Sequence, residues 1–242
     1  MSAAKIETFD RLQRWPSAYG KVLEECGGDS KLAEAKYCVG QFDSDTQIDW
    51  FLRREAIEKA MGVHRSAVYG ALNIGNLGTV GAYGPFCVVL PATPDNVVGV
   101  LPFNSAECYV DETGMVNKKK LGAEASTWAN RGATATLRHE SELPNSIRDS
   151  WADLLVCATH PGNPSNFVEV VIDDQTLSLA SCLIVRVDKL LQEQLDVFDQ
   201  TEEADRALGF PTSLSPVELE SLRAYRLLLQ MQMLGSLIIE SV

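Results

Sequence analysis

The chain has 242 residues and a mass of 26.5 kDa, 45% hydrophobic and 22% charged, which is globular make-up and length enough to bury a core without disulfide or metal staples. Thirty-three acidic residues against 21 basic ones leave a formal net charge of −12, which argues against a general nucleic-acid binder because phosphate affinity comes from clustered lysine and arginine. No apolar run approaches the roughly 18 residues that a membrane span requires.

The first residues, Met1 to Glu7, turn polar at once and show no apolar signal core, so no secretory signal is expected. Six cysteines (Cys26, Cys38, Cys87, Cys108, Cys157 and Cys182) form no CxxC pair. They predict reduced, buried thiols in a cytoplasmic protein, or in one delivered as an effector. Three histidines, His64, His139 and His160, stand apart from any cysteine cluster, and no metal site is expected.

Residues 5–40 read as helical, with Leu12, Val22, Leu23, Leu32 and Ala35 near helical periods. Gly27-Gly28-Asp29-Ser30 divides that stretch, and Ser30 is the expected N-cap of its second helix. A further helix is predicted over Gln47 to Met61, capped by Asp45 or Thr46 and closed by Gly62. From Arg65 to Val110 the texture turns glycine-rich and β-like, with strands expected at Ala67–Leu72, Phe86–Leu90 and Val97–Leu101.

Residues 111–150 are polar, with helix expected at Ala123–Ala129 and Ile147–Leu155, and Lys118–Lys120 as a solvated loop tip. His160 to Ser165 reads as a turn and Phe167–Ile172 as a strand; Asp173-Asp174 then turns into a β-like stretch, Thr176–Val187. Lys189–Phe198 is predicted helical. Beyond the Gly209-Phe210-Pro211 break, Ser215 and Pro216 supply an N-cap and an N1 proline for a last helix running to about Ile238.

Helices, then glycine-rich strands, then helices again predict an α+β single domain: a central, mainly antiparallel β region flanked by N- and C-terminal helices. The expected segments are a helical stretch over 1–62, a β-rich core over 63–190 and C-terminal helices over 191–242. No GxGxxG after a strand, no GxxxxGKS and no GxSxG is present, so Rossmann, P-loop and α/β-hydrolase readings lack support.

The most distinctive passage is Arg65-Ser66-Ala67-Val68-Tyr69-Gly70-Ala71-Leu72-Asn73, followed by Gly81-Ala82-Tyr83-Gly84 and the apolar run to Leu90. With Gln41-Phe42 and Trp50 upstream and Val168-Glu169-Val170-Val171 downstream, it resembles a bacterial domain family of unknown function that carries Arg-Pro-x-Tyr-Gly-Ala-Leu-Asn. The resemblance covers roughly residues 38–190. Ser66 stands where that family has proline, and Asp43-Ser44-Asp45-Thr46 replaces its Thr-Gly-rich run.

The order of an arginine ahead of a first strand, a serine on a middle strand and a glutamate on a late strand is also similar to mono-ADP-ribosyltransferase toxins. That resemblance implies NAD as substrate. Arg65, or the adjacent His64, would clamp the pyrophosphate bidentately, and Ser105 would hold the nicotinamide ribose in register. Glu169 would accept the ribose 2′-OH hydrogen bond and stabilise the oxocarbenium-like state. Tyr69 and Tyr83 would stack on nicotinamide, with Gly70 admitting a close ligand. A second reading makes the chain a non-catalytic acidic scaffold that holds a protein partner, or a second copy of itself, through the Leu/Met-rich helix Val217–Ile239. Glu169 has two readings of its own: facing water on a half-exposed strand it is ordinary, whereas buried among Phe167, Val168, Val170 and Val171 it needs a partner or a role.

Overall fold

The structure is a computed structural model that describes residues 17–43, 48–72, 86–89, 95–139, 167–173, 183–187, 189–234 and 237–241. In chain order these form α1 (Ala18–Glu25), α2 (Ser30–Gln41), β1 (Phe42–Asp43), β2 (Ile48–Asp49), α3 (Trp50–Met61), β3 (Ala67–Ala71), β4 (Phe86–Val89) and β5 (Val97–Leu101). There follow α4 (Ser105–Cys108), α5 (Lys118–Glu124), a 3-10 turn at Trp128–Asn130, α6 (Arg131–His139), β6 (Glu169–Asp173) and β7 (Leu183–Val187). Last come α7 (Lys189–Ala207), α8 (Pro216–Met233) and β8 (Leu237–Ser241). The class is α+β, as the alternation of textures implies.

Two compact units divide these elements. The first holds α1 to α3, β3, β5, α4 to α6 and β6, so the N-terminal helices pack with the strands that follow them. The second holds β4, β7, α7, α8 and β8. The division therefore runs through the 63–190 segment rather than at its two ends.

In the first unit, β6 is the centre of an antiparallel sheet ordered β3-β6-β5. Side chains alternate across a strand, and the two faces bury different partners. Val171 and Leu101 pack with Ile57, Val63, Ala67, Tyr109, Val110 and Leu121 on the face covered by α3, α4 and α5. Val168 and Val100 pack with Ala135, Leu72 and Trp128 on the face covered by α6. A fully buried side chain such as Ile57, Leu101 or Val171 contributes about 2 kcal/mol by leaving water.

Local chemistry fixes the helix ends. Ser17 caps α1, its hydroxyl accepting from the Gly20 amide. At α2 the cap is Asp29, whose carboxylate takes the Lys31 and Leu32 amides, and Ser30 is the first helical residue. Gly62 ends α3 as expected, with φ 78° and the Val63 amide donating to the Glu58 carbonyl. That helix starts at Trp50, later than predicted, because Ile48 and Asp49 pair with Asp43 and Phe42 as a short antiparallel ladder. Gly99 meets a packing demand instead of a turn: an added Cβ would lie 2.5 Å from Met61 Cε.

Between residues 111 and 139 the expected helix is displaced. Asn117, whose side chain accepts from the Lys120 amide, starts α5 at Lys118, so the lysine run is a helical first turn and not a loop tip. Ala125 is extended and Ser126 exchanges backbone hydrogen bonds with Val100, which ends that helix before Ala129. The expectations at Asp45, Thr46, Tyr83, Ile147–Leu155 and His160–Ser165 lie outside the described residues.

In the second unit, β4 pairs antiparallel with β7, and β8 pairs parallel with β7 after the α7–α8 crossover. The Ser215–Glu218 capping box starts α8, with Pro216 in the first turn. That helix ends at Met233, and Leu237–Ser241 is a strand rather than the predicted last turn of helix; β-branched Ile238 and Ile239 pair with Ile184 and Val185. Phe86 stacks on Tyr225 at 6.4 Å, and the Tyr225 hydroxyl joins Gln192 and Asp196.

Candidate functional site

Glu169 opens the central strand β6, opposite Ala71 on β3 and Leu101 on β5. By alternation it faces the same side as Val171, under α3 and α4, and it is 5% exposed. Its Oε1 accepts a 3.2 Å hydrogen bond from the Ser105 amide at the start of α4. Burial pushes the Glu169 carboxyl up to about 7; the Ser105 hydroxyl and amide and the Arg54 charge act against that rise, and Glu107 adds to it. The Ser105 hydroxyl lies beside the carboxyl, fully buried, without a hydrogen bond of good geometry.

Ser105 is therefore on a helix, not on a middle strand, but it meets Glu169 across 64 residues of sequence. The elements that bring them together are β5, whose Leu101 sits beside Glu169 in the sheet, and the Pro102–Asn104 connection into α4. Asn104 caps that short helix by accepting from the Ala106 amide.

A second, partly buried polar group continues from Tyr69, which stands opposite Val171 on the same face of the sheet. The Tyr69 hydroxyl donates to Glu58 Oε1 at 3.2 Å, and the Arg54 guanidinium lies 5.1 Å from the Tyr69 ring. Arg54 and Glu58 are one helical turn apart on α3 and share that face. Tyr37 on α2 also hydrogen-bonds Arg54. Burial raises the Glu58 carboxyl, opposed by the Arg65 amide, the Arg54 charge and the Tyr69 hydroxyl. Burial raises the Tyr69 phenol as well, and the Glu58 and Glu169 charges push the same way.

Arg65 is not at this end of the sheet. Ala67 pairs with Asp173 and Ala71 with Glu169, so the Arg65 end of β3 lies about 13 Å or more along the strand from Glu169. Its guanidinium meets Glu34 at 2.7 Å and Glu55 at 3.2 Å and covers the Tyr19 ring at 4.7 Å. Its backbone takes φ 65°, the only positive φ outside glycine among the described residues. The Glu58 carboxylate, which accepts from the Arg65 amide, and the Ser17 hydroxyl, which donates to the Arg65 carbonyl, hold that conformation, each at 2.8 Å. His64 joins Glu55 at 2.8 Å. Arg65 and His64 thus tie α1, α2 and α3 together and do not clamp a ligand beside Glu169.

Tyr69 does reach the site, through Glu58 and Arg54. Gly70 sits in a regular strand where an added Cβ would find nothing nearer than the Val170 carbonyl at 4.0 Å, so its spacing needs no close ligand. Among the described residues no group of His, Cys, Asp and Glu would hold a metal ion, and Cys26, Cys87 and Cys108 are not in disulfides.

The residues that sequence reasoning passed over are Arg54, Glu58 and Tyr37. Their signal was available: an arginine and a glutamate four apart on a helix otherwise read for its apolar stripe. What the arrangement offers chemically is a buried carboxyl that exchanges its proton near neutral pH, next to a hydroxyl and within the field of the half-buried Arg54. No helix among the described residues is long and apolar enough to cross a membrane. No family model, curated protein or solved structure matches the chain.

Proposed function

We propose that the chain is an enzyme of the group-transfer class acting on a nucleotide, with NAD as substrate and an ADP-ribosyltransferase-like role as a toxin or effector. Glu169 is the carboxyl that accepts a hydrogen bond from the ribose 2′-OH as nicotinamide departs, and Ser105 orients it. The observation that carries this reading is the Glu169–Ser105 contact: two residues chosen for one chemistry meet in a buried position, with the carboxyl poised near 7. Strongly shifted groups of this kind concentrate at functional sites. Arg65 has no part in it. The test is release of free nicotinamide from NAD, lost in Glu169→Gln and kept in Arg65→Lys.

A second reading, a non-catalytic interaction scaffold, is favoured by a separate observation in the other unit. Leu190, Val217 and Met233 on α7 and α8 are 70%, 76% and 89% exposed, and Phe210 in the connection between those helices is 63% exposed. Apolar surface left in water around a helix pair suits a protein partner or a second copy. Sedimentation of wild type against Val217→Asp with Met233→Asp tests it: a dimer or complex lost in the double variant supports the scaffold, and a monomer in both sinks self-association.

A further inference from the structure

On the side away from its buried contact, α7 leaves an apolar line in water. At ~100° per residue, Leu190, Val197, Ala204 and Leu208 fall within about 40° of one another around the helix axis. Val197 is 57% and Leu208 68% exposed, Leu190 and Ala204 are exposed as well, and the fully buried Leu195 lies on the opposite side. Leu208 stands just past the helix, its amide still donating to the Ala204 carbonyl, so the line continues through that end. From Leu190 to Leu208 it spans about 27 Å.

Charge borders this line mainly on one flank. Glu193, Asp196 and Glu203, all exposed, follow it there, with Lys189 at the start. Among the described residues Glu193 and Glu203 form no ion pair, and Asp196 accepts from the Tyr225 hydroxyl at 3.4 Å. The ion pairs of α7, Asp199 and Glu202 with Arg226 and Glu202 with Arg206, lie around its other side. The second flank holds Gln194 and Thr201, and Asp205 there accepts from the Ser213 amide and hydroxyl.

We propose that this face of α7 docks a basic amphipathic helix of another protein, with apolar residues along the Leu190–Leu208 line and lysines or arginines over Glu193, Asp196 and Glu203. The proposal rests on the scaffold reading and narrows it to one surface and one partner chemistry. The acids decide the occupant. A second copy brings the same excess of acid to the contact, with a net charge of −12 on each chain. An anionic lipid surface is repelled by that flank. A basic helix instead covers the apolar line and gains charge-assisted contacts along its border.

The experiment titrates the full chain with two synthetic helical peptides of about 20 residues, followed by fluorescence anisotropy. Both carry leucine at the matching spacing; lysine flanks it in one and glutamate in the other. Wild type is expected to bind the lysine peptide saturably, at least about tenfold more tightly than the glutamate peptide. Leu190→Ser with Val197→Ser, and Glu193→Lys with Glu203→Lys, each weaken the lysine peptide at least about tenfold, and the second pair also strengthens the glutamate peptide. Asp95→Lys with Glu112→Lys, the same charge change on exposed acids of the first unit, leaves the lysine peptide unchanged. Thermal melting checks folding, and the Glu193–Glu203 pair alone decides the matter if the serine pair does not fold. No saturable binding, equal affinity for the two peptides, or a loss in the Asp95–Glu112 pair as large as in the Glu193–Glu203 pair overturns the proposal. Self-association of wild type that the serine pair abolishes overturns it in favour of a second copy. A complex lost in Val217→Asp with Met233→Asp but intact in the serine pair keeps the scaffold reading and overturns this face. A monomer that binds neither peptide overturns both.

Discussion

The Ser105 amide donates to Glu169 Oε1 across 3.2 Å, joining the first residue of a short helix to the first residue of the central strand. Because the donor is the backbone, Ser105→Ala keeps this bond and removes only the hydroxyl, which favours the ionised carboxylate. The Glu169 pKa is therefore expected to rise in Ser105→Ala. Carboxyl carbon shifts followed by NMR across pH 4–9 check the direction; a fall or no movement would place the hydroxyl away from the charge.

Stability should depend on Glu169 in a direction set by its raised pKa. Folding lifts the carboxyl from its ordinary 4.5 to about 7, so the folded state favours the protonated form. The stabilisation is complete below about pH 4.5 and is lost as pH rises through 7. At ~1.4 kcal/mol per unit, the difference is on the order of 3 kcal/mol. Glu169→Gln is expected to flatten that fall and to match or exceed wild type above pH 7.5. Glu58, also raised by burial, leaves a residual slope of the same sign. Urea unfolding between pH 4.5 and 8 measures both.

Arg65 combines a left-handed backbone with two carboxylate partners. Glycine relieves the backbone cost, about 1 kcal/mol, and alanine does not. Both lose the ion pairs with Glu34 and Glu55. Arg65→Ala is expected to unfold at lower urea than Arg65→Gly, and the reverse order would contradict the φ of 65°.

Gly99 lies where an added Cβ reaches Met61 Cε at 2.5 Å. Met61 is flexible, so Gly99→Ala is expected to cost little. Gly99→Val should cost about 1–3 kcal/mol by overpacking, and Met61→Ala in the same chain should return part of it. Thermal melts of the three variants decide between crowding and a backbone requirement.

Much of the framework was legible in sequence because each signal was local. Gly62 closing α3, Ser215-Pro216 opening α8 and the β-branched run at Val97–Leu101 act within a few residues. Leu237–Ser241 was misread because the Leu/Met pattern of α8 runs straight into it; only its long-range partner, β7, makes it a strand. At the site, Glu169 stood out as a charge in an apolar strand, and its meeting with Ser105 follows from the register of β5 against β6. The position of Arg65 was not legible, since proximity in sequence to β3 says nothing about which end of the sheet carries the carboxyl. Arg54 and Glu58 were hidden for a similar reason: their surroundings are made by Tyr37 and Tyr69, on the elements that precede and follow α3.

The most direct measurement is the pH dependence of nicotinamide release from NAD by wild type, with Glu169→Gln alongside. The expected result is release that rises with an apparent pKa near 7 as the carboxyl ionises and falls by about 100-fold or more in Glu169→Gln. Release that persists in Glu169→Gln, or none from wild type at any pH with millimolar NAD, would contradict a catalytic Glu169 and leave the buried contact with Ser105 as a structural one.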